Sequence, residues 1–394
     1  MKSYAELSRL IQNEPLPCAV VDLDAVDANV DALLKATGTS SKKIRVATKS
    51  IRCPDLVRII QKKLGDRACG LMTYTATETA FWASEGERDL LLAYPTMSAH
   101  DARLLATINR EGVTAAVVVD CEAHLAPLAD AANAAKIAMP CIIEIDLAFH
   151  PLGTLVHLGV RRSPLRDAAQ VVALAKKIAA TCGLTFHGVM GYEAQIAGVS
   201  DADLSARAMK SASRADVAAS RKKIADALAS AGLTLAVFNG GGSGSLASSA
   251  KEDCLTELTA GSGFLDSHLF DHYDALDLTP AIFFALQVVR RPTDDIVTCH
   301  GGGLVASGKS GVDRLPIPWL PGGLSLLPLE GAGEVQTPIA LKNGQIVELG
   351  HPAFFRHAKA GELAEHFNEY LFVRGDRIEE RARTYRGLGH SFLG

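Results

Sequence analysis

Residues 43–50 read Lys-Ile-Arg-Val-Ala-Thr-Lys-Ser, a short apolar-rich run that ends on Lys49 and is followed at once by a helical pattern, DLVRIIQKKLG (55–65). The same alternation recurs along the chain. Seven further runs stand between segments of helical spacing rich in alanine: ACGLMTYT (68–75), DLLLAYPT (89–96), TAAVVVDC (114–121), CIIEIDLA (141–148), FHGVMGYE (186–193), LAVFNGGG (235–242) and LTELTAGSG (255–263). Short apolar runs in regular alternation with helices read as βα units. Most of the helical segments open near Thr, Ser, Asp or Pro and close on Gly, as capped helices do. Eight strands buried on both faces, with helices outside, fit a closed (β/α)8 TIM barrel within about 250 residues better than an open sheet. The expected fold class is therefore α/β.

Beyond residue 273 the texture changes. Short apolar runs now alternate with Gly and Pro, as in AIFFALQVVRRP (281–292), QTPIALKNGQIVELG (336–350) and EYLFVRGDRI (369–378). This predicts a second, mainly antiparallel β domain over 274–394 after a barrel domain over 1–273. The opening run CAVVDLDAV (18–26) stands outside the count of eight, so residues 16–26 are candidates to join the β domain.

Bulk properties narrow the function. With 48% apolar and 21% charged residues, the 394-residue chain can bury large cores. Its formal charge is −4 and it carries no long Lys/Arg run, which argues against nucleic acid as a partner. No apolar run approaches a bilayer span, and MKSYAELSRLIQNEPLP is polar from Ser3 onward, unlike a secretory signal, so a soluble, cytoplasmic protein without a membrane partner is expected. The eight cysteines are scattered singly without a CxxC pair, the pattern of reduced residues rather than of a zinc site.

Chemistry collects at the strand ends. In TIM barrels the C-terminal ends of the strands carry the active site, and phosphate groups commonly sit on the loops after the seventh and eighth strands. Here those strands run into Asn239-Gly240-Gly241-Gly242-Ser243-Gly244-Ser245 and Ala260-Gly261-Ser262-Gly263. Glycines let backbone N–H groups approach an anion closely, and Ser243, Ser245 and Ser262 add hydroxyls. On this reading a β-branched side chain at Gly241 or Gly242 clashes on the ligand side of the loop. Lys49, at the end of the first strand, points toward the same mouth, where desolvation lowers an amine's pKa and suits it to form an imine. A phosphate cup plus an imine-forming lysine suggests pyridoxal 5'-phosphate.

The order of VVDLDAVDANV (20–30), IRVATKS (44–50), GYEAQ (191–195), NGGGSGS (239–245) and TELTAGSGFLD (256–266) resembles the D-threonine aldolase and D-serine dehydratase group of fold-type III pyridoxal-phosphate enzymes, relatives of alanine racemase. The resemblance covers nearly the whole chain. It implies that Lys49 carries the cofactor as a Schiff base, that Arg45, four residues earlier, belongs to the cofactor site, and that Tyr192 faces the cofactor.

The departures matter as much. The family's histidine two residues before the lysine is Ala47 here, and the arginine expected after the fifth strand is absent from CIIEIDLAFHPLG, which has His150 and Pro151; Arg161 and Arg162 are the candidate substitutes. In the family a divalent metal is held by a histidine and, two residues on, a cysteine or aspartate, whereas the aligned segment here is Arg356-His357-Ala358-Lys359. An ammonium has no lone pair to offer and repels a cation, so no metal is expected at that position. His351, Glu362 and His366 lie nearby and leave a rearranged site open.

The resemblance thus implies a lyase acting on a small β-hydroxy amino acid, of D configuration, by retro-aldol cleavage or dehydration, with Lys49 as base at Cα and His357 serving the β-hydroxyl. An amino-acid racemase and a cofactor-carrying protein without turnover are the alternatives. The β domain favours an enzyme, and it is also the part that would mediate a homodimer.

Overall fold

The computed structural model describes residues 1–393 except 202, 272, 275 and 343. After a first strand, β1 (Cys18–Asp22), eight parallel strands close a barrel in sequence order: β2 (Lys43–Ala47), β3 (Ala68–Thr73), β4 (Asp89–Leu92), β5 (Thr114–Val119), β6 (Met139–Glu144), β7 (Leu184–Met190), β8 (Val237–Gly240) and β9 (Glu257–Ala260). Pairing of β2 with β9, Arg45 opposite Thr259, closes the ring. The eight runs named from sequence are these eight strands.

Their near-continuous hydrophobicity follows from burial on both faces. In β4, Leu90 and Leu92 join the layer shared with the surrounding helices, while Leu91 faces the barrel interior with Ala116, Val118, Ile142 and Met190. The helices between strands are locally specified. Pro54 opens Pro54–Leu64, which stops at Gly65 with φ +56°, and the Thr75 side chain caps Ala76–Ser84 by accepting from the Glu78 N–H.

The second domain is a nine-stranded sheet of β1 and β10 (Ile282–Thr293), β11 (Ile296–His300), β12 (Ile317–Leu320), β13 (Leu324–Leu326), β14 (Gln336–Leu341), β15 (Pro352–Arg356), β16 (Glu369–Arg374) and β17 (Arg377–Arg383). β1 lies between β10, to which it is antiparallel, and β16, to which it is parallel. The chain therefore begins in this sheet, builds the whole barrel, and returns to it. Helix Tyr4–Leu10 covers one face through Leu7, packed with Val20, Phe283, Phe354 and Leu371.

Three contacts seat the sheet on the barrel. Trp82 Nε1 donates to the Tyr385 hydroxyl at 2.7 Å, which in turn donates to the buried Glu78 carboxylate at 2.7 Å. Arg52 pairs with Glu365 at 2.6 Å. Gly361 lies so close to the end of β2 that a Cβ there would stand 2.1 Å from the Lys49 carbonyl oxygen.

Inside the barrel, Arg45 is buried in a layer of polar groups. Its guanidinium contacts Glu257 at 2.7 and 2.8 Å and Asp89 at 2.9 and 3.0 Å. Glu257 accepts from Asn239 Nδ2 at 2.8 Å, and Asn239 also donates to Thr259 at 2.8 Å. Removing one partner of such a buried network strands the others without compensation. Arg45→Ala is expected to lower unfolding stability by about 3–5 kcal/mol in a denaturant titration.

Candidate active site

At the C-terminal ends of the barrel strands, facing the β domain, lies a cavity of about 770 Å³. Lys49, Tyr192, Gly241, Gly242, Ser243, Gly261 and Ser262 all line it. Sequence positions separated by more than two hundred residues thus converge as the barrel geometry requires.

Lys49 sits in a single 3-10 turn, Thr48–Ser50, that directly continues β2. Its carbonyl accepts from Arg52 Nε at 2.9 Å, which holds the turn, and its side chain runs into the cavity. The side chain is open to the cavity space yet enclosed by protein around it, and that enclosure governs the electrostatics. Burial is the largest influence and lowers the amine's pKa; the charges of Arg162, Lys359 and Arg52 lower it further, against a smaller opposing effect of Glu362, to about 8. An amine held there is still mostly protonated at pH 7, but its neutral fraction, about one-tenth, is hundreds of times that of an ordinary lysine, which favours imine formation.

The two glycine loops lie side by side. Ser243 Oγ accepts from the N–H of Gly263 at 2.9 Å and of Gly261 at 3.3 Å, tying the loop after β9 to the loop after β8. The glutamate of the GYE motif, whose part sequence reading missed, organises the first loop. Glu193, fully buried, accepts from Ser249 Oγ at 2.6 Å, Ser245 Oγ at 2.7 Å and the Gly241 N–H at 3.2 Å, and pairs with the buried Arg221. Tyr192 stands next to it with its ring 5.2 Å from the Arg162 guanidinium carbon, and Arg162 pairs with Glu144 at 3.4 Å. Of the two arginines proposed from sequence, Arg162 lines the cavity.

Several expectations are corrected here. Arg45 does not line the cavity. Arg45 lies two strand residues, about 7 Å, back from Ala47 at the end of β2, and period-two alternation puts its side chain inside the barrel below Ala47, where it supports the floor residues Asn239 and Thr259 through Glu257. Gly240, Gly244 and Gly263 are also outside the lining, and each is glycine for packing. A Cβ would fall 2.6 Å from Arg221 Nη2 at Gly240, 2.5 Å from the Tyr273 ring at Gly244 and 2.9 Å from Ser243 Cβ at Gly263. At Gly242 a Cβ would meet Ala197 Cβ at 2.8 Å and the Tyr192 ring at 3.0 Å, and Gly241 has φ +90°, so β-branched substitutions there strain the protein itself rather than only its ligand.

His357 is corrected as well. It is buried away from the cavity, both ring nitrogens lack partners among the described residues, and burial, with His268 and Arg356, pushes its pKa down to about 3. A neutral, enclosed imidazole does not reach a substrate hydroxyl. Lys359 and Glu362 do line the cavity, together with Ser307, Arg314 and Tyr273. No local sequence signal marked Ser307 or Arg314, which lie on the connection between β11 and β12 and reach the site only through domain packing.

Residues 21–263 match the alanine racemase N-terminal domain. The chain belongs to that family. Over 263 residues it is 28% identical to the 3-hydroxy-D-aspartate aldolase of Paracoccus denitrificans (strain Pd 1222), a match spanning 66% of this chain and 62% of that enzyme. In fold it is similar to the D-threonine aldolase of Filomicrobium marinum, with a TM-score of 0.81 and 20% identity over 98% of this chain and 99% of that one. It is similar also to the D-threo-3-hydroxyaspartate dehydratase of Delftia sp. HT23, with a TM-score of 0.78 and 18% identity over 95% of this chain and 98% of that one.

The family implies pyridoxal phosphate, and the donors present fit it: one depressed amine, two glycine-serine loops, and an aromatic ring beside an arginine. Two residues beyond His357 stands Lys359, which pairs with Glu362 at 3.2 Å and offers no lone pair to a cation. Among the described residues the clusters able to supply three metal-ligand atoms are Asp120-Cys121-His124 and Asp146-His150-His157, and neither includes His357. In the second, Arg166 already contacts Asp146 at 2.5 Å and His150 at 3.0 Å.

If the cavity sets the amine's pKa, trace acetylation of the apo-protein across a pH series, read by peptide mapping, should give Lys49 a midpoint near 8, well below the free-lysine value near 10.4.

Proposed function

We propose that this protein is a pyridoxal-phosphate-dependent lyase acting on a small β-hydroxy D-amino acid. The observation that carries the reading is a single cavity lined by Lys49, by the two glycine-serine loops and by the charged residues Lys359 and Glu362 of the β domain. When bound, pyridoxal phosphate withdraws electrons from Cα and so makes its bonds to hydrogen or Cβ breakable.

The chain's own residues would do the rest. The loops after β8 and β9 would hold the phosphate through backbone N–H groups and the Ser262 hydroxyl. Lys49 would anchor the cofactor and, once released by the substrate amine, move the proton at Cα. Tyr192 and Arg162 would flank the ring. The relatives named as a 3-hydroxy-D-aspartate aldolase and a D-threonine aldolase support substrates bearing a β-hydroxyl.

Two measurements test this. The purified protein should be yellow, borohydride should fix the cofactor on Lys49, and the holoprotein should release aldehyde or 2-oxo acid from D- but not L-β-hydroxy amino acids; a change of enantiomer alone would sink the lyase reading. Because an ammonium occupies the position of an anionic ligand, turnover after exhaustive chelation should stay within about twofold. A stoichiometric metal in elemental analysis, with activity lost on its removal, would refute metal independence.

A further inference from the structure

Lys359, Glu362 and Ser307 form a hydrogen-bonded cluster on the cavity wall contributed by the β domain. Lys359 Nζ donates to Ser307 Oγ at 2.8 Å and lies 3.2 Å from Glu362 Oε1. Ser307 Oγ donates to Glu362 Oε1 at 2.6 Å, and the Ser307 N–H donates to Glu362 Oε2 at 2.8 Å. Both carboxylate oxygens are thus held, and the serine hydroxyl is fixed between a proton acceptor and a cation. The position of the cluster is equally constrained. Gly361, between Lys359 and Glu362, abuts the backbone of Lys49 and Ser50 with no room for a side chain, so the turn is locked against the lysine that anchors the chemistry.

The geometry points to Glu362, acting through Ser307, as the base that removes the proton of the substrate's β-hydroxyl, with Lys359 stabilising the oxygen as charge develops on it. This deepens the lyase reading, on which it rests, and selects retro-aldol cleavage over dehydration. The hydroxyl proton passes to Ser307 Oγ as the serine proton passes to Glu362 Oε1 along the existing hydrogen bond. The O–H bond breaks, the carbonyl of an aldehyde forms, and the Cα–Cβ bond breaks with its electron pair left on Cα. That pair takes a proton from Lys49, so glycine and an aldehyde are released with no net oxidation. Glu362 returns its proton to water and Lys49 regains one. Burial raises the pKa of Glu362, but the hydrogen bonds from Ser307 and the charge of Lys359 outweigh it, so the carboxylate stands ionised. Dehydration would instead need a proton delivered to the leaving hydroxide, whereas Ser307 Oγ, already donating its own proton to Glu362, is arranged to accept one.

The test compares holoprotein with its Glu362→Gln and Ser307→Ala variants on D-threonine and 3-hydroxy-D-aspartate, scoring aldehyde and 2-oxo acid separately. A positioned base contributes about 10²–10⁴ in rate, so Glu362→Gln should lose at least about 100-fold in kcat with KM little changed. Ser307→Ala should lose kcat in the same direction. The readout independent of turnover is the equilibrium affinity for D-alanine, which has no hydroxyl, followed by the cofactor's absorbance; it should match wild type within about twofold in both variants. Retention of kcat within fivefold in Glu362→Gln, or an equal loss of D-alanine affinity, would overturn the assignment while leaving the lyase reading intact. So would a wild-type product of 2-oxo acid and ammonia. A wild-type holoprotein that binds D-alanine but cleaves neither substrate would remove the lyase reading and this inference together.

Discussion

A hydrogen atom stands where any other residue would place a side chain at position 361, and the arrangement of the site depends on it. The Lys49 carbonyl and the Ser50 backbone occupy the space that a Cβ of Gly361 would need. Because the contact is backbone to backbone, neither side can yield by changing a rotamer. The end of the first barrel strand and the 359–362 turn of the β domain are therefore held in one relative position. Arg52 reinforces the seat from the barrel side, donating to the Lys49 carbonyl and pairing with Glu365. The second domain is thus a wall of the active site as much as a separate sheet.

That seating brings cations together, and the electrostatics of Lys49 follow. Arg162 from the barrel, Lys359 from the β domain and Arg52 beneath all disfavour a further positive charge, in surroundings where burial already does so. The site tolerates the cluster because each of these three cations has a carboxylate partner: Glu144 for Arg162, Glu362 for Lys359 and Glu365 for Arg52. Among the described residues Lys49 has no such partner, and burial first, then the three neighbouring cations, lowers its pKa. A similar economy runs below the cavity. There Arg45, Glu257 and Asn239 form a buried polar layer that sets the floor, and above it Glu193 gathers a backbone N–H and two hydroxyls to shape the glycine loop.

The contrast between Arg45 and Arg162 shows how far one-dimensional reading extends. Arg45 has the spacing of a site residue relative to Lys49, but it lies two strand residues, about 7 Å, back from Ala47 with its side chain inside the barrel below the mouth. Arg162 has no motif. It enters the cavity because the long connection after β6 folds back over the strand ends, bringing the guanidinium over Tyr192 and Tyr94. Glycines divide the same way. Gly241, Gly242 and Gly261 line the cavity, whereas Gly240 makes room for Arg221 and Gly244 for Tyr273. A run of glycines states that backbones approach something closely without saying whether it is a ligand or a neighbour.

By itself the sequence determined the eight barrel strands, the change to a β domain, the lysine at the first strand end and the paired glycine-serine loops. These are local properties: hydrophobic periodicity, caps, and residue types at strand termini, all encoded within a few residues of where they act. Tertiary structure alone decided that β1 lies between β10 and β16, that His357 is buried and outside the cavity lining, and that Ser307, Lys359 and Glu362 meet in the cavity that Lys49 lines. Those outcomes rest on contacts between segments as much as three hundred residues apart. They are set by how two domains exclude water from each other, and no period or spacing along the chain records that.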